Sequence, residues 1–151
     1  MCNPILVVDD NDFNLFTFVE ILKGFNLEAD KAINGLEALE MVKKSLQCCP
    51  YQVVFMDVNM PIMDGLEATR EIRKFLIEFN GKEDVQHMLR RQSKRALFEV
   101  SIPIVALTAN DTNQERQVCS GAGMDRFLSK PPDRSELIKI LQSTFGSTIT
   151  E

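Results

Sequence analysis

Five short runs of uniformly apolar residues punctuate the chain, and between them the apolar positions recur at helical spacing. Ile5-Leu6-Val7-Val8 has no polar alternation and stops at Asp9-Asp10. A run of that kind is a strand buried on both faces, the habit of parallel sheets. Leu15, Phe18, Val19 and Leu22 follow three and four apart and end near Gly24, which predicts a helix. A weaker strand reads from Leu27 to Ala32. Asn34-Gly35 marks a turn, and Leu36, Leu39, Val42 and Leu46 mark a second helix. Val53 to Met56 is the third strand, closed by Asp57. A loop with Pro61 and Gly65 leads to a third helix carrying Leu66, Thr69, Ile72 and Leu76. Ile104 to Leu107 is the fourth strand, closed by Thr108. A polar fourth helix from about Thr112 to Gly121 has modest anchors at Val118, Cys119 and Ala122. Phe127-Leu128-Ser129 is the fifth strand, followed by Lys130-Pro131-Pro132. Leu137, Ile138, Leu141 and Phe145 give a last amphipathic helix.

This alternation is (βα)5, an α/β doubly wound parallel sheet with helices on both faces and right-handed crossovers. One domain spans 1–146, and 147–151 form a small polar tail. About 27 residues separate Phe75 from Ser101, where a short connection would suffice, so an insertion is expected over about 78–100. Val85, Met88, Leu89 and Ala96 in it have rough helical spacing, and Arg90 to Arg95 is basic. An extension of the third helix or a loose insertion is the plain reading, and a basic dock for an acidic partner the sharper one. No aromatic residues interleave these charges as nucleic-acid binding would want.

Composition narrows the partners. A net charge of −5 on 151 residues argues against a nucleic-acid surface. No apolar run approaches the roughly 18 residues that span a bilayer, and the amino terminus has no basic, signal-like start. A cytoplasmic setting without direct membrane contact is expected. Cys2, Cys48, Cys49 and Cys119 match no zinc spacing and no CxxC pair, so four reduced thiols are expected. His87, the single histidine, reads as an ordinary residue of the insertion. No P-loop or glycine-rich ATP lid is present, so the sequence shows no ATP-binding motif of its own.

The candidate chemistry sits where the strands end. Ligands of open α/β sheets bind at the carboxyl ends of strands, near the topological switch point. Asp9 and Asp10 end the first strand, Asp57 the third, Thr108 the fourth and Lys130 the fifth. Singly, each has a bland reading: an Asp pair is usually a helix cap, an Asp after a strand a turn residue, a Lys-Pro nothing. Jointly they are far more specific. If the first and third strands are neighbours, three carboxylates meet, and such a cluster makes sense around a cation. Oxygen-only ligands suit Mg²⁺.

Four segments carry a family resemblance: VVDDNDFN at 7–14, VVFMDVNMPIMDGLEATREIR at 53–73, IPIVALTAN at 102–110 and GAGMDRFLSKP at 121–131. With them the chain resembles the receiver domains of two-component response regulators over nearly all its length, most closely those of hybrid sensor histidine kinases. The resemblance implies a flavodoxin-like sheet of strand order 2-1-3-4-5. It implies that Asp57 accepts a phosphoryl group from a histidine kinase or histidine phosphotransfer domain, with Mg²⁺, or Mn²⁺ in its place. Asp10 and Asp57 would be direct metal ligands, with Asn59 through its backbone carbonyl and Asp9 through water. Lys130 would pair with the acceptor and then the phosphate. Thr108 and Phe127 would be the switch pair, and Lys130-Pro131 a cis peptide. The domain would catalyse its own phosphorylation and dephosphorylation. It would signal through its fourth helix, fifth strand and fifth helix to a partner the sequence does not identify. The chain is either a stand-alone regulator or a segment of a hybrid kinase, and the resemblance favours the second.

Three rivals fit less well. A haloacid-dehalogenase-type hydrolase needs Asp-x-Asp, and the segment reads Asp57-Val58-Asn59. A flavodoxin-like FMN binder would want a phosphate loop where Asp9-Asp10 would repel one. A degenerate receiver, acting only as a protein-binding module, would not need Asp9, Asp10, Asp57, Thr108 and Lys130 all intact.

Overall fold

The computed structural model describes residues 2–84 and 99–149. Among them are five strands, β1 (Ile5–Val8), β2 (Ala29–Ala32), β3 (Val53–Asp57), β4 (Ile104–Thr108) and β5 (Arg126–Ser129). Five helices are interleaved: α1 (Asp12–Lys23), α2 (Gly35–Ser45), α3 (Gly65–Asn80), α4 (Asn113–Ala122) and α5 (Arg134–Phe145). All strand pairs are parallel and the order is β2-β1-β3-β4-β5. The expected (βα)5 sheet and its strand order are therefore present.

Uniformly apolar strands work here because both faces are covered. Leu6, Val8, Val54 and Met56 point into one core with Ala38, Val42, Ile72 and Cys119. Ile5, Val7, Val53 and Phe55 point into the other with Leu15, Phe18, Leu137 and Leu141. Thus α2, α3 and α4 cover one face, α1 and α5 the other. Each of the five helices starts on a polar cap, Asn11, Asn34, Asp64, Thr112 or Asp133, whose side chain accepts backbone N–H groups of the first turn.

The structure corrects three details. Leu36 and Val118, read as inward anchors, are 45% and 47% exposed. Ala38 takes the inward position in α2, and in α4 the other two anchors, Cys119 and Ala122, are buried as read, because small steps along a helix rotate a side chain off the buried stripe. The expectation of four free thiols also fails: Cys2 and Cys49 form a disulfide, while Cys48 and Cys119 are free. The pairing of β1 with β3, extended by Gln52 N–H donating to the Pro4 carbonyl at 2.7 Å, brings those two segments together. Sequence spacing gives no hint of this.

Residues 78–80, assigned by sequence to the insertion, are the last turn of α3. Asn80 closes the gap like a strand partner, its side chain bonding the Val100 carbonyl at 3.0 Å and the Val100 N–H at 2.9 Å. The basic stretch from Arg90 to Arg95, His87, and the helical spacing of Val85, Met88, Leu89 and Ala96 lie outside the described residues. No helix among the described residues is long and apolar enough to cross a membrane.

Candidate functional site

Strand register assembles the site. Val8 pairs with Met56, so Asp9 emerges beside Asp57, at the place where the chain crosses from one side of β1 to the other. Asp57 pairs with Leu107, which puts Thr108 one step beyond, and Thr108 pairs with Ser129, which puts Lys130 next to it. Lys130 is fixed by its own backbone, whose N–H donates to the Thr108 carbonyl at 2.8 Å. The Lys130-Pro131 bond is cis, as expected.

Four of the five strand-end residues meet, with Thr108 at the adjoining strand end. Asp9, Asp10 and Asp57 offer carboxylate oxygens within 4.8 Å of one another. Asp9 and Asp57 are buried and Asp10 is exposed. Lys130 Nζ stands 3.0 Å from Asp57 Oδ1 and 3.2 Å from Asp9 Oδ2. Asp9 is held further by the Asn11 N–H at 2.9 Å and by Asn14 Nδ2 at 3.2 and 3.3 Å. Asn59 lies beside Asp57, its N–H 3.4 Å from Asp57 Oδ1. Thr108 Oγ1 is buried and has no hydrogen-bond partner among the described residues.

Three carboxylates face one ammonium. Burial lifts the Asp57 carboxyl above the usual range. Lys130 opposes that lift, Asp9's charge adds to it, and the Asn59 N–H opposes it weakly. Burial also works against the Lys130 charge, but Asp57 and Asp9 together outweigh it and raise the ammonium's pKa. The site thus holds excess negative charge at low dielectric, an arrangement a hard cation with oxygen ligands would relieve. Thr108, at the end of the neighbouring strand, carries a buried hydroxyl whose hydrogen-bonding capacity is unused among the described residues. The donor set fits Mg²⁺.

The loop after β3 is tightly held. Gly65 sits so close to the strand end that a Cβ there would lie 2.0 Å from the Asp57 carbonyl oxygen, and its N–H donates to the Val58 carbonyl at 2.9 Å. The Gly35 N–H donates to the Met63 carbonyl at 3.0 Å, tying the loop to α2. Ile62, exposed at the loop's tip, has φ of 73°, a left-handed conformation that strains a β-branched residue. No sequence signal marks it, since left-handed positions normally show as Gly or Asn.

Sequence reasoning also missed Arg73. Its guanidinium donates to the Gly123 and Ile102 carbonyls at 2.9 and 2.7 Å and to Asp125 at 2.6 Å. Asp125 in turn accepts the Ile104 N–H at 2.8 Å. This fork locks α3 to the starts of β4 and β5. Phe127 is partly buried against the core, and Arg116 lies over its ring, 5.2 Å from the centroid. Arg116 is itself paired with Asp111.

With this geometry in hand, the comparisons with known proteins are consistent. The model of the response regulator receiver domain matches residues 5–79. The chain is 38% identical over 138 residues to hybrid signal transduction histidine kinase B of Dictyostelium discoideum, covering 89% of this chain but 6% of that protein. It is 31% identical to the receiver domain of the histidine kinase CKI1 from Arabidopsis thaliana complexed with Mg²⁺, at a TM-score of 0.70, over 93% of this chain and 90% of that one. It is also similar to the Saccharomyces cerevisiae pair of the histidine phosphotransfer protein Ypd1 and the Ssk1 receiver domain. That match has 25% identity and a TM-score of 0.73, over 99% of this chain and 95% of that one. The chain spans 16% or less of the curated histidine kinases of Oryza sativa and Dictyostelium discoideum compared with it.

Proposed function

The chain belongs to the response regulator receiver domain family, and on that footing we propose that Asp57 takes a phosphoryl group from a phosphohistidine donor with Mg²⁺ and relays it as a conformational signal. The observation that carries this reading is the meeting of Asp9, Asp10 and Asp57 with the Lys130 ammonium at the carboxyl end of the sheet. Asp10, Asp57 and the Asn59 backbone carbonyl would hold the metal, and Asp9 would reach it through water. When bound, the metal would supply positive charge that offsets the phosphoryl oxygens. Asp57 attacks phosphorus in line as a carboxylate nucleophile, and the donor imidazole leaves. Lys130 moves from the Asp57 oxygen toward the phosphoryl group and offsets its charge. Thr108 donates its free hydroxyl to a phosphoryl oxygen.

The donor's docking surface is supported by Phe13 and Phe16, which are 75% and 61% exposed on α1 beside the pocket. Phe13, Asn14 and Thr17 line a hollow there with Lys130, Pro131 and Pro132. An apolar surface next to a reactive carboxylate suits a protein donor better than a small molecule. The output face is α4, β5 and α5. When Thr108 is drawn inward, Phe127 gains room, and its cover of Arg116 and Asp111 shifts with it.

The test is labelling with a small acyl phosphate and with a phosphorylated histidine phosphotransfer domain, with and without EDTA. One modified site is expected, absent in Asp57→Asn and absent after chelation. Label that survives either change would overturn the assignment.

A further inference from the structure

A second chemical cluster lies at the opposite end of the same two strands. Cys2 precedes β1 and Cys49 precedes β3, and the structure joins them with their Cα atoms 6.1 Å apart, within the range a disulfide spans without moving the backbone. Cys48 adds a third sulfur. Its Sγ is 3.5 Å from Cys2 Sγ and 3.4 Å from Cys49 Sγ, so a free thiol touches both atoms of the bond. All three cysteines are exposed, in a hollow also lined by Asn3, Met41 and Lys44. Disulfides exchange when a thiolate attacks one sulfur and expels the other, and access governs the rate. Cys119, buried under α4, has none of this access, and burial raises its thiol pKa.

We propose that Cys2, Cys48 and Cys49 form a thiol–disulfide exchange site that takes a small-molecule disulfide of the glutathione class as its oxidant. In the reduced chain, the Cys49 thiolate attacks one sulfur of that disulfide and expels a thiolate. The Cys2 thiolate then attacks Cys49 Sγ, forms the Cys2–Cys49 bond and expels the second thiolate. Two electrons pass to the small disulfide, which leaves as two thiols. Cys48 gives the site a second position: its thiolate attacks Cys2 Sγ, forms Cys2–Cys48 and releases Cys49, with no net oxidation. Cys2 is therefore shared between two neighbours. The bond closes a chain separation of 47 residues and clasps the amino ends of the strands whose carboxyl ends carry Asp9 and Asp57.

The whole chain is equilibrated in buffers of graded reduced-to-oxidised glutathione ratio, acid-quenched, alkylated after denaturation and mapped by peptide mass. Wild type is expected to pass from four alkylated thiols to two, with Cys2 in every internal bond. Cys49→Ser should still form an internal bond, Cys2–Cys48, in most molecules. Cys48→Ser should form only Cys2–Cys49. Cys2→Ser should form no internal bond and instead accumulate the glutathione adduct. Oxidation should raise the thermal midpoint of wild type and Cys48→Ser and leave that of Cys2→Ser unchanged. Four free thiols in wild type at the most oxidising ratio would overturn the proposal. So would Cys49→Ser that keeps its thiols free where wild type is oxidised, or equal midpoint shifts in all variants.

Discussion

At the amino end of the sheet, Asp30 has a donor for each oxygen: Tyr51 at 2.6 Å and Asn3 at 2.7 Å. At the carboxyl end, Asp9 and Asp57 share one ammonium with Asp10 close by, and Thr108 Oγ1 has no partner among the described residues. Both groups lie at the ends of one sheet and each is centred on aspartate. Around Asp30 the polar groups are arranged as a protein arranges them for stability, since an unmet buried group costs about 1–3 kcal/mol. The carboxyl end leaves that cost standing. Unrelieved charge and an idle hydroxyl are tolerated where a ligand and a phosphoryl group complete the set.

The sharpest way to break this contrast is Lys130→Ala. If the ammonium stabilises the transferring phosphoryl group, initial labelling rates should fall on the order of 10²–10³-fold. The thermal midpoint should fall as well, because Asp9 and Asp57 are left buried without their counterion, so rates are compared on protein shown to be folded by circular dichroism. Rates within threefold of wild type would show that Lys130 is structural packing.

The next effect separates close approach from open space with one substitution made twice. Gly65→Ala puts a methyl 2.0 Å from the Asp57 carbonyl oxygen, so backbone must move. A loss of about 1–3 kcal/mol in denaturant unfolding is expected. Gly121→Ala, inside α4 with nothing within 4 Å, should gain roughly 0.5–1 kcal/mol from helix propensity. Equal effects would mean that the β3–α3 junction is looser than its contacts indicate.

These cases bear on what the sequence discloses. Uniform apolar runs announced β1, β3 and β4, since both faces of a parallel strand demand the same residues. The weak strand β2 was placed two residues early at Leu27, because at the sheet edge its exposed and half-buried positions carry no such signature. The site residues were legible because strand ends are sequence landmarks and their neighbourhood follows from topology. Arg73 with Asp125, Asn80 with Val100, and Tyr51 with Asp30 were not, because each pair joins ordinary residues 20 to 52 positions apart. The disulfide was missed for the same reason: spacing cannot report that two strand starts are adjacent.

Asp57→Asn should stabilise the metal-free protein at neutral pH, by about 1–2 kcal/mol. Folding raises this carboxyl's proton affinity, chiefly through burial, so the ionised form is the one the fold disfavours. The sign follows from linkage: just above the ordinary carboxyl pKa the folded chain keeps a proton the unfolded chain has lost. Stability therefore declines as pH rises through that window, and the penalty persists above it. The gain from Asn should shrink as pH falls back through the window. Unfolding midpoints in EDTA between pH 4 and 7 measure it. A destabilised variant at pH 7 would mean that the Lys130 pairing outweighs burial and that the carboxyl end is no more frustrated than the amino end.

The smallest effect tests the satisfied end. Tyr51 is the only tyrosine and the chain has no tryptophan, so tyrosinate absorbance reports one site. Burial, then the hydrogen bond to Asp30, then Asp30's charge hold the phenol's pKa well above its ordinary value. An unfolded chain would ionise this group near pH 10, while the folded chain retains the proton. Above about pH 10 the folded state therefore binds more protons than the unfolded one, and this group's contribution erodes folding stability as pH rises. Tyrosinate absorbance should be absent at pH 10 to 11 while circular dichroism still reports the fold, and should appear only with alkaline unfolding. Asp30→Asn should move the titration only part of the way back, because burial is the larger cause and remains. Tyr51→Phe should cost under about 1.5 kcal/mol, since Asn3 still serves Asp30. Half-ionisation near pH 10 in the folded protein would mean that Tyr51 is open to water. The amino end would then be as unsettled as the carboxyl end, and the contrast between them would fail.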